Sequence, residues 1–247
     1  SGFPKLNFFR KFLWKIMSKK ISHIICPTEE TKDRLNFLKI FEGEKLVVIQ
    51  DPIIELKDIN LKKTQPITEK LDKPFFLSIG RFTKQKNHLF LINFFIKNLH
   101  YLNDCQFVIV GDGELKDIYK KKINEKNLSD KIRILSFKKN IFNYIKNAKC
   151  IISSSLWEDP GFVMVEAAFV GTPVISSDCP SGPKEFIGNH KNGFIYKSNN
   201  EESFEECLKN FLNISKEDLS LKVLNAKKRS KLFTPFYNYK KLSYLLN

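Results

Sequence analysis

The chain has 247 residues, enough for one large domain or two small ones, and its hydrophobic share of 42% supports a packed core and excludes a disordered protein. Forty-two Lys and Arg against 27 Asp and Glu leave a net charge of +15, so nucleotides, phospholipid headgroups and nucleic acid all come into question as partners; an AT-rich genome, favouring Lys, Asn, Ile and Phe, would give the same excess. The absence of any apolar run of roughly 18 residues excludes a membrane-spanning helix, and with no recognisable signal peptide the protein is expected in the cytoplasm.

Residues 3–20 hold six Lys or Arg and no acid, with Phe9, Leu13, Ile16 and Met17 on a helical spacing, which predicts a basic amphipathic helix. Two roles fit it: packing against a further domain, or lying on an anionic membrane surface with Phe12 and Trp14 near the headgroups. Residues 23–26 read as a short buried strand, 28–37 as a helix capped by Thr28, and 45–49 as a second strand. The chain opens at Ser1 in what reads as the middle of a domain, so residues 1–50 are expected to be the closing elements of a truncated α/β unit. Residues 51–72 are polar, lose periodicity and include Pro66, as a connector would.

From residue 73 to about 230 a regular rhythm begins. Strands are predicted at 75–79, 106–110, 132–137, 150–154, 173–177 and 194–196, with helices at 87–99, 114–127, 140–147 and 162–170. Continuous apolar strands alternating with helices predict an α/β fold, a Rossmann-like doubly wound parallel sheet covered on both faces. Ligands of such sheets bind at the carboxyl ends of the strands, which directs attention to the loops that begin at Gly80, Gly111, Phe137, Ser155 and Asp178. Residues beyond 201 read as helical and polar, with 231–247 a C-terminal helical tail. Five scattered cysteines, with neither a CxxC nor a Cys/His ligand spacing, are expected to be buried, reduced thiols.

At the first predicted strand end, Gly80 would let a ligand approach the backbone, Arg81 offers a planar fork for phosphate oxygens, and Lys86 adds a point charge. In a Lys-rich chain a solvated Arg and Lys is the blander reading. Further on, Glu158 and Glu166 flank a helix start marked by Pro160 and Gly161. The unpaired N–H groups and dipole of such a start suit a diphosphate. Glu166, within the apolar segment Phe162 to Phe169, needs a donor; a sugar diol supplies two, and a buried basic residue or water is the alternative.

The order Gly80-Arg81-x4-Lys86, Gly111-Asp-Gly113, Glu158-x7-Glu166-Ala-Ala-x-x-Gly171-Thr-Pro173 and Gly182-Pro-x-Glu185 resembles the donor half of the family 4 glycosyltransferases of GT-B fold, over about residues 20–235. The resemblance implies that Arg81 and Lys86 bind the donor diphosphate, Glu158 lies on the sugar side, and Glu166 binds the ribose. The resemblance also implies that backbone groups of Gly161, Phe162 and Val163 complete the phosphate cradle and that the strand end near Phe137 contacts the base, although Ser136 replaces the usual glycine. It further implies a retaining hexosyltransferase with front-face attack, Arg81 and Lys86 stabilising the leaving group. Residues 1–50 become the tail of the acceptor domain and 73–230 the nucleotide-sugar donor domain. No cofactor and no metal are expected, since the chain contains no Asp-x-Asp dyad and the two cations take the metal's place.

The segments 48–54 and 177–185 look like those of bacterial transferases building lipid-linked oligosaccharides, O-antigen or capsule, which makes a UDP-sugar the expected donor and a polyprenyl-diphosphate-linked compound the expected acceptor. That acceptor would place the protein peripherally on the inner face of the plasma membrane. None of His23, His88, His100 and His190 sits in the context of the acceptor domain's usual active-site residue, and all four read as structural. The competing reading is a non-catalytic nucleotide-sugar- or membrane-binding partner subunit. A nucleotide-sugar epimerase is disfavoured by the glutamate spacing, and nucleic-acid binding by the dispersal of basic residues beyond residue 20.

Overall fold

The computed structural model describes residues 7–71 and 73–246; residues 1–6, including the first part of the helix predicted at 3–20, and Asp72 and Asn247 lie outside that description. Helix α1 (Phe8–Ser18) starts where the Asn7 side chain accepts the Arg10 N–H at 2.9 Å. It leads into a small unit in which strands β1 (Ile24–Cys26) and β2 (Leu46–Val48) pair in parallel across helix α2 (Glu29–Phe37). The Thr28 hydroxyl accepts the Thr31 N–H at 3.1 Å and caps α2 as predicted, and Cys26, Leu35 and Leu46 form the unit's own small core.

Six further strands form one all-parallel sheet: β3 (Phe75–Ile79), β4 (Gln106–Val110), β5 (Ile132–Leu135), β6 (Cys150–Ser153), β7 (Val174–Ser177) and β8 (Phe194–Tyr196), in the order β5-β4-β3-β6-β7-β8. The order reverses between β3 and β6, which makes the ends of those two strands the switch point where ligands of open α/β sheets bind. Because successive strand residues face opposite ways, Leu77, Val108 and Val110 enter one core and Phe76, Phe107 and Ile109 the other. The first core is covered by α3 (Leu56–Lys62), α6 (Phe142–Asn147), α7 (Phe162–Val170), the short α8 (Pro183–Ile187) and α10 (Lys216–Ser230). The second is covered by α4 (His88–Lys97), α5 (Lys116–Asn124) and α9 (Glu201–Asn213). The α/β class and the doubly wound parallel sheet expected from the sequence are therefore present.

Two elements were not predicted. Helix α3 lies inside the stretch read as a connector, where Ile54 and Ile59 are buried in the first core, and α8 follows β7. The last helix, α11 (Pro235–Leu246), turns back to the amino-terminal unit: Asn238 donates to the Gln50 carbonyl at 2.9 Å and Lys241 to the Gln50 side-chain oxygen at 2.8 Å. All five cysteines are buried and unpaired, and no described helix is long and apolar enough to cross a membrane.

Candidate functional site

The loops after β3 and β4 can lie against one another only because Gly111 has no side chain; a Cβ there would come within 2.0 Å of the Gly80 carbonyl and 2.8 Å of the Phe82 ring. Backbone bonds from Phe82 N–H to Asp112 O (2.8 Å) and from Leu115 N–H to Phe82 O (3.0 Å) lace the loops together. Gly80 serves a different purpose: a Cβ would meet the Lys86 stem at 3.1 Å, so its absence lets that side chain lie over the strand end. Arg81 stays exposed, its guanidinium 3.5 Å from the Gln85 side-chain oxygen.

Helix α7 begins after Gly161, whose φ of +94° is left-handed backbone that glycine adopts without strain. No side chain caps it. Among the described residues nothing accepts the N–H groups of Gly161, Phe162 and Val163, so a bare, positive helix head faces the strand ends.

These parts meet in two adjoining spaces. Arg81, Gly80, Phe137 and Glu166 line one cleft of about 520 Å³, together with Asp112, Lys138 and Lys139. Lys86, Glu158, Gly161 and Val163 line a smaller void, and Ile79 borders both. The sequence-predicted residues thus converge on the switch point of the sheet. The arrangement differs from expectation in three respects. Lys86 and Glu158, assigned to different parts of a ligand, are paired with each other, Nζ to Oε1 at 2.5 Å, both side chains largely buried. Phe162 lines neither space and is exposed, so what it offers at the helix head is its backbone N–H. Phe137 lies just past the end of β5 rather than within it, and its ring is exposed beside the cleft.

Electrostatics separate the two glutamates. Burial pushes the Glu166 carboxyl up to about 7, and no described residue donates to it. Glu158 accepts from Lys86 and from the Ser155 hydroxyl. His88 is fully buried between Phe82 and Tyr119, where burial, with Lys86 adding to it, brings its pKa down to about 3 and keeps the ring neutral. None of the four histidines lines either space, and no described group of three or more His, Cys, Asp or Glu is arranged to hold a metal.

The amino-terminal unit reaches the rim. The Thr31 hydroxyl is 3.3 Å from both carboxylate oxygens of Asp159, and the Glu29 N–H donates to Glu185 Oε2 at 2.8 Å. Burial raises the Asp159 pKa, and Asp51, Glu30 and Glu185 add to the rise. Lys138 and Lys139 escaped the sequence reading although their neighbour Phe137 was singled out, and Asp112 entered it only as the middle of Gly111-Asp-Gly113, without a role; charged residues are so common in this chain that these carried no signal of their own.

The chain matches the family described as "Glycosyl transferases group 1" over residues 60–229, well over half its length. It belongs to the group 1 glycosyltransferases. Among curated relatives, the Campylobacter jejuni N-acetylgalactosamine-N,N'-diacetylbacillosaminyl-diphospho-undecaprenol 4-alpha-N-acetylgalactosaminyltransferase is 33% identical over 94% of this chain and 62% of its own length. The Escherichia coli UDP-Gal:alpha-D-GlcNAc-diphosphoundecaprenol alpha-1,3-galactosyltransferase is 29% identical over 87% of this chain and 59% of its own length. This chain therefore spans less than two thirds of those relatives. In fold it matches a single-substitution mutant of Staphylococcus aureus TarM, solved with fondaparinux, alpha-GlcNAc-glycerol and UDP, at a TM-score of 0.77 and 22% identity, covering 100% of this chain and 48% of the other. The fold is thus that of the GT-B glycosyltransferases.

Proposed function

We propose that this chain is the donor-binding part of a retaining glycosyltransferase, which moves a hexose or N-acetylhexosamine from a UDP-sugar to a lipid-linked or glycan acceptor in bacterial surface polysaccharide or oligosaccharide assembly. The observation that carries the reading is the convergence, at the sheet's switch point, of Arg81, a bare α7 head and an unpartnered Glu166 on one cleft of about 520 Å³ beside Lys86 and Glu158. A pyrophosphate fits between the guanidinium, the Lys86 ammonium and the N–H groups of Gly161, Phe162 and Val163; the ribose diol gives Glu166 the donors it lacks; the exposed Phe137 ring lies where a base would stack.

The chemistry follows from that placement. As the bond from the anomeric carbon to the diphosphate oxygen breaks, negative charge grows on that oxygen, and Arg81, Lys86 and the α7 N–H groups stabilise it more in the transition state than in the ground state. The acceptor hydroxyl forms the new bond on the same face and passes its proton to the departing oxygen, so configuration is kept. Glu158 borders the space on the sugar side. The two relatives, both named for undecaprenyl-diphosphate-linked acceptors, support a lipid-linked acceptor, and the E. coli enzyme, named for UDP-Gal, supports a UDP donor. Helix α1, with Phe8, Phe9 and Met17 exposed beside Arg10, Lys11 and Lys15, supports docking at an anionic membrane surface.

Calorimetric titration with UDP tests the site. The wild-type chain is expected to bind, and Arg81→Ala and Glu166→Ala each to weaken binding by about tenfold or more, the effect of losing hydrogen bonds to a charged group. Unchanged affinity in both variants rejects the site. Transfer from UDP-galactose, UDP-glucose or their N-acetylated forms to an undecaprenyl-diphosphate-linked acceptor tests the reaction; UDP binding without any transfer by the full-length protein favours a non-catalytic partner subunit.

A further inference from the structure

The Glu158 carboxylate has a second partner that the reaction scheme leaves unused. Ser155 Oγ donates to Glu158 Oε1 at 2.5 Å, the same oxygen that accepts from Lys86 Nζ, also at 2.5 Å, and no described group donates to Oε2. Ser155 is only 1% exposed, so its hydroxyl reaches the carboxylate and no bound ligand. Its own position is fixed from behind: the Ser177 hydroxyl, at the end of β7, donates to the Ser155 carbonyl at 2.6 Å. Glu158 is held at the backbone by the following loop, its N–H bonding Pro180 O at 2.7 Å and its C=O accepting from Ser181 N–H at 3.0 Å. Ser154, next in the chain, donates to the carbonyls of Lys86 and Asn87 and fixes the other half of the ion pair.

Lys86 cannot fully satisfy two anionic partners at once. A diphosphate entering beside it carries more charge than one carboxylate and draws the ammonium off Oε1. A largely buried carboxylate that loses its only cation needs another donor to stay in place. We propose that Ser155 is the positioning residue that keeps Glu158 aimed into the sugar subsite when Lys86 turns to the diphosphate, so that the Ser177–Ser155–Glu158 relay governs recognition of the transferred sugar and not of the nucleotide. The proposal rests on the donor-site reading above and deepens it. The relay leaves Oε2 as the acceptor for a sugar hydroxyl while Oε1 stays tied to the protein.

The test compares two ligands in one variant. The full chain and Ser155→Ala are titrated with UDP and with UDP-galactose, UDP-glucose and their N-acetylated forms. Ser155→Ala is expected to bind UDP within about twofold of wild type, and to bind the sugar nucleotide that wild type prefers about tenfold or more weakly, the loss of one hydrogen bond to a charged group. Ser155→Thr, which keeps the hydroxyl, is expected to recover most of the difference. A parallel loss for UDP and UDP-sugar marks a merely structural serine and overturns the proposal, as does an unchanged UDP-sugar affinity. If Ser155→Ala does not fold, Ser177→Ala takes its place, withdrawing the support while leaving the Ser155 hydroxyl; the same selective loss, smaller in size, is expected, and its absence overturns the relay. A wild-type chain that binds none of these nucleotides brings down the donor-site reading itself, a result distinct from UDP binding that is indifferent to Ser155.

Discussion

A carboxylate without a donor, in the second turn of an apolar helix, resists ionisation until something supplies hydrogen bonds, and that makes Glu166 a pH-dependent part of the site. Burial raises its pKa from the ordinary 4.5 to about 7. In the ligand-free protein the contribution of Glu166 to stability is therefore fully present below about pH 4.5 and is lost as pH rises through about 7, because only the unfolded chain ionises freely in between. UDP binding should run the other way, since ribose hydroxyls donate to the ionised form. The affinity of wild type relative to Glu166→Gln is expected to rise between about pH 6 and pH 8 and level off above; the phosphate's own ionisation near pH 6 is common to both proteins and cancels in the ratio. A ratio flat across that range would remove Glu166 from the ribose contact. Arg81, Lys86, Glu158 and Glu166 stood out in the sequence as cations after a strand end and glutamates flanking a helix start, and it was the resemblance to a family that joined them into one proposed site. The role of Ser155 was not legible, because what a hydroxyl does depends on which acceptor the folded chain brings within reach, and the Lys86–Glu158 pair joins residues 72 positions apart.

At the scale of elements, the strands were legible because each is a short, uninterrupted apolar run, and runs buried on both faces look alike wherever they occur. Errors collected at the ends. The strand predicted to continue to Phe137 stops at Leu135, opposite the last residue of β4, so Ser136 and Phe137 have no strand residue to pair with and turn into the cleft rim. Helix α3 was missed because only Ile59 of its seven residues is buried, and one anchor makes no periodicity. The contact between the β3 and β4 loops shows what the sequence signalled only as Gly111-Asp-Gly113. Gly111→Ala is expected to lower stability by about 1–3 kcal/mol, as overpacking does, and Tm by roughly 2–4 °C for each kcal/mol, read by thermal unfolding. Because the same push displaces Gly80 and with it Arg81, UDP affinity should fall as well; a variant with wild-type Tm and affinity would show that the loops are not locked at this point.

Over the whole molecule, contacts between distant parts of the chain decide what the sequence could not show. The 231–247 segment read as a tail, yet α11 bonds to Gln50 nearly 190 residues away, and the head of α2 reaches Asp159 and Glu185 at the cleft rim. Charge was legible in amount but not in effect. Most of the +15 is dispersed, whereas in α1 the cations Arg10, Lys11 and Lys15 accompany exposed Phe8, Phe9, Phe12 and Met17. Each cation close to an anionic bilayer contributes about 1 kcal/mol, and the attraction decays over a Debye length of about 10 Å at 0.1 M salt. Replacing Arg10, Lys11 and Lys15 by Glu, all three at exposed positions, should therefore leave the fold and UDP binding intact but cut co-sedimentation with vesicles containing anionic lipid by about a hundredfold or more. Wild-type sedimentation should itself fall steeply between low and physiological salt and be absent with neutral lipid. Binding that ignores salt, or survives the charge reversal, would mean that this helix face serves to pack against protein rather than to meet a membrane.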